Sequence, residues 1–333
     1  MIHFALLGCG RIGRMHADNL AAHPRAELAW AYDVHRPAAE AVARRYNAKL
    51  AGEIDEALAD PSVDAVLIAS STDTHVALIT AAAQAGKAVL CEKPIDLDIA
   101  KVDACLRVIE PLGVPVQIGF NRRFDPSFAE VQRAIRAGEI GELRQVIITS
   151  RDPEIPPVAY MKVAGGILRD MTIHDFDLAR FLLGEEPVEV AAFADALIAP
   201  EVKDLGDHDT AMVLLRTASG KQCCINNYRK ATYGYDQRIE AIGAKGMLKA
   251  ENRRATTVER WDAARTEARD PLLRFFIERY REAYIRELDD FLDALASGRP
   301  CAPSFEDGRR ALLLANAAYE SIRTGRVTAV PLG

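Results

Sequence analysis

An imidazole lies between carboxylates in the segment Asp170-Met171-Thr172-Ile173-His174-Asp175-Phe176-Asp177. The apolar spacing around it predicts one helix over 170–183, on which Asp170, His174 and Asp177 would fall within roughly 60° of one another. A neutral imidazole near its ordinary pKa can take a proton at physiological pH, so this polar stripe could serve acid–base chemistry. The same spacing is also typical of a solvated helix face. One histidine with two carboxylates is a poor zinc-binding set, so no metal is expected.

A glycine-rich loop follows the first predicted strand, Ile2–Leu7, and opens a helix with the residues Gly8-Cys9-Gly10-Arg11-Ile12-Gly13. Glycines in this context let the backbone approach a pyrophosphate, which binds at the helix N-terminus. The second strand ends at Asp33, 20 residues after Gly13, where a carboxylate can accept both ribose hydroxyls and would repel a 2′-phosphate. The pair predicts NAD in preference to NADP, a preference that nearby Arg36 weakens. A tight turn beside an exposed acid is the structural alternative.

Polar side chains follow two further predicted strands, at the edge where ligands of open parallel sheets bind. Ser70, Thr72 and His75 follow the strand 65–69, where Asp73 or Thr74 is also expected to cap the next helix. Glu92-Lys93-Pro94 follows the strand 88–91, and its lysine could equally be a solvated loop cation. The predicted cofactor-binding residues are Gly8, Gly10, Arg11, Ile12, Gly13, Asp33, Ser70, Thr72, His75, Glu92 and Lys93.

The elements that must position these residues change in pattern near residue 120, which predicts two domains, 1–120 and 121–333. In the first, strands at 2–7, 27–32, 65–69, 88–91 and 116–119 alternate with helices at 14–22, 37–46, 75–85 and 99–109. Such alternation predicts an α/β fold with a doubly wound parallel sheet. The second part carries helices at 126–137, 170–183, 275–296 and 305–324, and strands at 143–150, 188–198, 210–217, 221–228, 237–242 and 247–251. Its last five strands predict an antiparallel meander in an α+β domain.

Composition excludes several classes of protein. With 42 Lys and Arg against 48 Asp and Glu, the 333-residue chain has a net charge of −6 and no basic cluster, so nucleic acid is not an expected partner. The N-terminus lacks a signal-peptide pattern, and no apolar run approaches the roughly 18 residues of a membrane span. The six cysteines form no CxxC pair and predict reduced thiols. We therefore expect a cytoplasmic protein without a membrane partner.

Taken together, the glycine loop, Asp33, Glu92-Lys93-Pro94 and the Asp170-xxx-His174 spacing resemble the Gfo/Idh/MocA oxidoreductases over essentially the whole chain. The stretches 120–125, 165–167, 170–177 and 233–238 resemble the inositol 2-dehydrogenases of that family. The resemblance implies an N-terminal Rossmann domain, a C-terminal domain on a large, mostly antiparallel sheet, bound NAD, and a homotetramer assembled through the sheets. It also implies Lys93, Asp170 and His174 as the catalytic set. Arg169 and the stretch 151–161 depart from the family pattern.

The activity expected from this resemblance is NAD-dependent oxidation of a cyclitol ring hydroxyl, with myo-inositol giving 2-keto-myo-inositol. His174 would take the hydroxyl proton, Asp170 would orient the imidazole, and Lys93 would hydrogen-bond the reacting oxygen. Candidate substrate-binding residues are Asn121, Arg123, Asp152, Tyr233 and Tyr235, although each tyrosine could simply pack in a sheet. The alternatives are an aldose 1-dehydrogenase acting on a pyranose and a non-catalytic NAD-binding sensor, which would need the glycine loop alone.

Overall fold

The computed structural model describes residues 1–331 and divides into two compact units. The first unit comprises Met1–Asn121 and Tyr284–Leu312, and the second comprises Arg122–Ala283 and the chain from Leu313 onward. The sequence pattern does not indicate that a C-terminal segment belongs with the first unit. The predicted two-domain boundary at 120/121 stays a prediction.

The first unit is built on a parallel six-stranded sheet of order β3-β2-β1-β4-β5-β6, which confirms the predicted doubly wound sheet. Its strands are β1 Ile2–Leu7, β2 Ala26–Tyr32, β3 Lys49–Leu50, β4 Ala65–Ile68, β5 Ala88–Glu92 and β6 Val116–Gly119. Its helices are α1 Arg11–Ala22, α2 Arg36–Tyr46, α3 Ile54–Ala59, α4 Thr72–Gln84 and α5 Ile99–Ile109, followed by a 3-10 turn at Glu110–Leu112. Every residue of β4 is buried, as expected for a central strand covered on both faces.

Packing explains why the segment Tyr284–Leu312 belongs to the first unit. Leu288, Phe291 and Leu292 lie in the same buried apolar cluster as Phe4, and the Phe4 and Phe291 rings are 6.1 Å apart. The Ile118 amide of β6 also donates a hydrogen bond to the Pro303 carbonyl at 3.0 Å. These contacts join positions about 180 to 290 residues apart in the sequence, which local periodicity cannot reveal.

The second unit combines most of the remaining helices with a seven-stranded sheet. A 3-10 turn at Asn121–Phe124 leads to the helices α6 Pro126–Arg136, α7 Val158–Ala164, α8 Ile167–Asp170, α9 Thr172–Leu183, α10 Pro200–Asp204 and α11 Phe276–Arg279. Two longer helices, α12 Arg281–Ser297 and α13 Phe305–Thr324, have residues in both units. The strands are β7 Leu143–Arg151, β8 Pro187–Asp195, β9 Thr210–Thr217, β10 Gln222–Tyr228, β11 Asp236–Gly243, β12 Met247–Ala250, β13 Glu259–Arg260, β14 Ala268–Arg269 and β15 Thr328–Ala329.

The order of the large sheet is β12-β11-β7-β10-β9-β8-β15. It is mostly antiparallel, as predicted, but the predicted meander is wrong because β7 lies between β10 and β11 and runs parallel to β10. The connection over 229–235 is therefore a crossing of β7 rather than a hairpin turn. This insertion places the ends of β7 and β10 side by side, and both ends carry residues of the candidate site.

The two faces of this sheet differ in what covers them. In β9, alternate residues such as Ala211 and Val213 are buried, whereas Met212 and Leu214 on the opposite face are more than half exposed. Helix α9 packs against β7 and β10 on the buried face. Over residues 1–331 no helix is long and apolar enough to cross a membrane.

The single helix predicted over 170–183 is wrong. Helix α8 ends at Asp170, Met171 forms a turn between the two helices with right-handed dihedrals (φ −95°, ψ −58°), and α9 begins at Thr172. Gly184 ends α9 at a φ of +63°, in agreement with the predicted stop. Asp170 and His174 therefore lie on two consecutive helices, and the predicted stripe with Asp177 does not form on one continuous helix.

Candidate active site

The glycine loop has the shape that a pyrophosphate requires. Gly8 has a φ of +100°, and a Cβ added there would lie 2.5 Å from the backbone of Ala69 and Ser70. A Cβ on Gly13 would lie 1.9 Å from the Gly8 carbonyl oxygen, so α1 can approach β1 only without a side chain at that position. A Cβ on Gly10 would meet nothing within 4 Å. The loop is thus closely packed behind Gly8 and Gly13 and open at Gly10, where a pyrophosphate can approach the backbone.

The carboxylate of Asp33 is held directly against this loop. One oxygen accepts the Cys9 amide at 2.6 Å, and the other accepts the His35 amide at 2.7 Å. These bonds fix the carboxylate at the end of β2, where its further lone pairs can accept ribose hydroxyls. Arg36, which weakens the sequence argument for NAD, has its Nε 3.0 Å from Glu40 on the same helix. These acceptor oxygens therefore fit the hydroxyls of an unphosphorylated adenosine ribose.

His75 braces two loops at the carboxyl ends of β4 and β5. Its Nδ1 lies 2.8 Å from the Pro94 carbonyl oxygen and its Nε2 lies 3.2 Å from that of Ser70. Burial lowers the pKa of His75, so the ring is neutral at physiological pH. The predicted cap by Asp73 or Thr74 is wrong, because Ser71 occupies the N-cap position of α4 without a side-chain bond. The predicted cofactor contacts of Ser70, Thr72 and His75 stay predictions.

Lys93 follows β5 directly and joins Pro94 through a cis peptide bond. The preceding Glu92 faces the protein, where its carboxylate lies 2.8 Å from Nε2 of the buried His16. The Tyr284 ring meets the His16 ring edge-on at 5.6 Å. Lys93 thus follows a residue, Glu92, whose side chain is fixed by its contact with His16. The sequence gives no signal for this contact.

In the second unit, the Asp170 carboxylate is held on both oxygens. The Tyr160 hydroxyl donates to Oδ1 at 2.6 Å, and Nη2 of Arg229 donates to Oδ2 at 2.7 Å. Burial and the neighbouring Asp170 charge raise the pKa of Tyr160, which keeps the hydroxyl protonated as a donor. Arg169, which departs from the family pattern, bonds Asn316 at 2.8 Å. The basic side chain that contacts Asp170 is therefore Arg229, which is 59 residues away in the sequence.

His174 is half-exposed, whereas every other residue of α9 from Thr172 to Arg180 is buried. The solvated-face alternative is therefore wrong. Asp177 is 1% exposed and makes a bidentate ion pair with Arg123, whose two nitrogens lie 2.5 and 2.8 Å from the carboxylate oxygens. Of the three polar residues of the predicted stripe, Asp170 and His174 are therefore partly exposed, whereas Asp177 is buried.

A second carboxylate, Asp152, follows β7 directly and is half-buried. Burial raises its pKa to about 6, against the opposing positive charges of Arg229 and Arg122, while Asp170 raises it further. Its backbone amide donates to the Tyr228 carbonyl at 2.9 Å, which continues the β7–β10 pairing. Asp152, in the stretch 151–161, is therefore a titratable carboxylate whose pKa is influenced by Asp170.

A buried polar network fixes α9 on the sheet. Arg122 makes an ion pair with Asp175 and donates to the Ser150 hydroxyl at 3.1 Å. Asn227 donates to the other Asp175 oxygen at 2.8 Å, and Thr172 donates to the Asn227 carbonyl oxygen at 2.6 Å. These bonds tie the first turn of α9 to β7 and β10, and so fix the backbone on either side of His174.

The remaining candidate substrate residues occupy different environments. Tyr233 is 53% exposed, accepts from Arg151 at 2.8 Å and donates to Asp236 at 2.8 Å. Tyr235 is buried, with its ring edge-on to Tyr280 at 6.0 Å. Asn121 is buried at the start of its 3-10 turn. The substrate roles of Asn121, Arg123, Asp152, Tyr233 and Tyr235 stay predictions.

Sequence reasoning missed Tyr160, Arg229 and the Arg122–Asp175 pair. A signal exists for Arg122, which lies three residues after the predicted strand 116–119 and between the candidates Asn121 and Arg123. Arg229 follows the end of a strand whose neighbour in the sheet is not predicted, so its proximity to Asp170 depends on the insertion of β7.

Comparison with known proteins agrees with this geometry. Residues 2–120 match the oxidoreductase family with an NAD-binding Rossmann fold, and residues 128–249 match the GFO/IDH/MocA C-terminal domain. The inositol 2-dehydrogenase of Rhizobium meliloti is 51% identical over 98% of both chains. A myo-inositol dehydrogenase structure from Corynebacterium glutamicum is 45% identical with a TM-score of 0.97, covering 100% of both chains.

A third relative has its ligands in place. The scyllo-inositol dehydrogenase of Lactobacillus casei, solved with NAD(H) and scyllo-inositol, is 28% identical with a TM-score of 0.90 and 99% coverage of both chains. The glycine loop, the Asp33 carboxylate and the two matched domains confirm the predicted NAD-binding Rossmann domain. The chain belongs to the GFO/IDH/MocA family of oxidoreductases.

Proposed function

We propose that this chain is an NAD-dependent dehydrogenase that oxidises one ring hydroxyl of a cyclitol, with myo-inositol as substrate and 2-keto-myo-inositol as product. The observation that carries the proposal is His174, a half-exposed imidazole on an otherwise buried stretch of helix that follows the doubly held Asp170. The inositol dehydrogenase activities named for the relatives supply the substrate class.

Oxidation of a carbinol removes a hydride from carbon and a proton from the hydroxyl. NAD supplies the hydride acceptor when bound. His174 takes the hydroxyl proton on its ring as general base. Asp170 stabilises the resulting imidazolium, and Lys93 hydrogen-bonds the reacting oxygen so that charge on it is stabilised as the proton leaves. Lys93, Asp170 and His174 are the proposed catalytic set.

A cyclitol presents a hydroxyl on every ring carbon, so its site needs several polar partners. The half-buried Asp152 offers such a group at the end of β7. Tyr233, in the connection between β10 and β11, offers a hydroxyl that also bonds Arg151 and Asp236. Arg123, buried Asn121 and Tyr235 complete the proposed substrate set.

The test is NADH formation with purified protein and a panel of myo-inositol, scyllo-inositol and aldopyranoses. The proposal expects the highest kcat/KM for myo-inositol. Faster oxidation of a pyranose would instead identify an aldose 1-dehydrogenase. NAD binding without turnover of any panel member would identify a sensor.

The Asp33 carboxylate should set the choice between NAD and NADP. A 2′-phosphate would add negative charge beside this fixed carboxylate, so the wild type should have a higher kcat/KM with NAD. Asp33→Ser should narrow the difference by at least about tenfold, since one close charge repulsion is worth on the order of 1.4 kcal/mol. Glu27→Gln, which removes an exposed acid near the other end of β2, should leave the ratio of the two kcat/KM values unchanged. Equal or higher kcat/KM of the wild type with NADP would refute the expectation.

We also propose that the chain is a homotetramer whose subunits meet through the outer face of the large sheet. Phe193 on β8 pairs with Met212 on β9, and Leu214 lies two residues further along β9, so these three exposed side chains form an apolar strip on one face. A second copy with the same strip would cover it, because exposed apolar patches of this kind are typical of interfaces.

Charging that strip should therefore dissociate the assembly. Leu214→Glu should lower the mass measured by light scattering to that of a smaller species, while Val108→Glu on α5 should not, since Val108 is exposed on a helix of the first unit. A wild-type monomer at micromolar concentration would contradict the proposal.

A cytoplasmic location is further proposed, because all six cysteines are unpaired.

A further inference from the structure

A completely buried arginine lies next to the proposed catalytic carboxylate. Arg229 directly follows β10, and its side chain has no exposed surface. Its Nη2 donates to Asp170, and its Nη1 lies 3.8 Å from an Asp207 oxygen. Among the residues that the structure describes, Nε and Nη1 have no hydrogen-bond acceptor within reach. The guanidinium therefore makes one hydrogen bond, which is to Asp170.

The position of Arg229 relative to α8 links both ends of this short helix. Asp207 accepts the Ile167 amide at 2.9 Å, at the start of α8, and Asp170 is its last residue. A Cβ on Gly166 would lie 2.7 Å from the Asp207 carboxylate, so the helix start is tightly packed against that acid. One guanidinium thus faces carboxylates at the two ends of the helix that carries Asp170.

Burying an arginine with unsatisfied N–H groups is unfavourable for folding. Removing a cation from water costs several kcal/mol in effective terms, and replacing buried ion pairs by apolar side chains is often neutral or stabilising. Stability alone therefore gives little reason for an arginine here. The contact with Asp170 suggests a role for Arg229 in the reaction instead.

We propose that Arg229 is a positioning residue that fixes the orientation and the negative charge of Asp170, and through Asp170 the orientation of His174. The inference rests on the proposed function, in which Asp170 and His174 take part in proton removal. It assigns a role to a residue that does not itself touch the reacting atoms.

The electrostatics of Asp152 support the same role. Asp152 is surrounded by Arg229, Arg122, Asp170 and Asp175, and Arg229 is the strongest influence that lowers its pKa against the effect of burial. Two carboxylates, Asp152 and Asp170, therefore share one buried cation. Without that cation the pKa of Asp152 would rise above about 6, so its ionised form would be lost at a higher pH.

The experiment compares Arg229→Met and Arg229→Lys by the pH dependence of kcat/KM. Arg229→Met should lower kcat by about tenfold or more and move the acidic limb upward by about one pH unit or more, since a close opposite charge shifts a carboxyl pKa by about 1–3 units. Arg229→Lys keeps the charge, so its limb should stay near that of the wild type. The Kd for NAD should be unchanged in both, because the glycine loop and Asp33 belong to the first unit.

Arg279 provides a matched control. It is also buried and makes an ion pair with Asp125, the N-cap residue of α6, in the same unit. Arg279→Met should lower the melting temperature without moving the acidic limb. If Arg229→Met has the kcat and the limb of the wild type, the inference is wrong.

A double-mutant cycle covers the case in which Arg229→Met does not fold. Arg229→Lys keeps the charge but loses the planar guanidinium that fixes the orientation of Asp170. If Arg229 acts through Asp170, Arg229→Lys should therefore lower kcat when Asp170 is present and have little effect in an Asp170→Asn background. Equal losses in both backgrounds would overturn the inference. Normal turnover in His174→Ala would instead overturn the proposed function itself, so the two failures are distinguishable.

Discussion

Replacing His174 with alanine is expected to lower kcat by about 10²-fold or more, because a general base typically contributes 10²–10⁴-fold. The affinity for NAD should stay nearly unchanged, since the glycine loop and Asp33 lie in the first unit and His174 lies in the second. His174 is half-exposed between buried neighbours, so its removal leaves the helix packing intact. Steady-state kcat and a calorimetric Kd for NAD provide the two measurements.

His23→Ala is the control for loss of an imidazole. His23 lies at the end of α1, and its Nε2 is 2.8 Å from Asp289 in the same unit. Its removal should leave kcat unchanged. Near-normal turnover of His174→Ala would remove this residue from the mechanism.

Lys93→Ala is expected to lower kcat as well, with some loss of cofactor affinity. Combining it with His174→Ala should be less than additive if both residues serve one proton transfer. Additive losses would mean that the two side chains act in independent steps.

Five of the six strands of the first unit could be predicted from the sequence because their signals are local, whereas the short helix α3 was not predicted. The glycine loop follows β1 within one residue, Asp33 ends β2, and Lys93 follows β5, so each residue is placed by the end of a buried strand. The strand β3, with two residues, is too short to give a periodic pattern. The contribution of Tyr284–Leu312 was not predictable, because it depends on packing between distant segments.

The second unit resisted prediction where charges are buried. Asp170 and His174 were identified from their types and spacing, but a helical wheel assumes one continuous helix, and Met171 interrupts it. Asp175 and Asp177 are residue types expected on a solvent-exposed helix face. Both are nevertheless buried, because Arg122 and Arg123 from the turn after β6 pair with them. Such pairing is invisible to periodicity, which takes a charged residue as a solvated one.

Replacing Asp175 with leucine is expected to lower the free energy of unfolding by about 3–5 kcal/mol, the usual effect of leaving one member of a buried ion pair without its partner. Arg122 would then lose its ion pair with Asp175 while keeping its hydrogen bond to the Ser150 hydroxyl. Asn227 would lose the carboxylate that it donates to. Urea denaturation of the wild type and the variant measures the change.

The double variant Arg122→Met with Asp175→Leu separates the pair from its burial. Burial raises the pKa of Asp175 while Arg122 opposes this effect, so the pair carries a desolvation penalty that apolar side chains avoid. The double variant should therefore be more stable than either single variant. Its turnover should nevertheless stay low, because Thr172 and Asn227 would no longer be tied through Asp175 to the segment before α6, and His174 would lose its fixed backbone. A double variant with restored stability and full activity would show that the network serves folding alone.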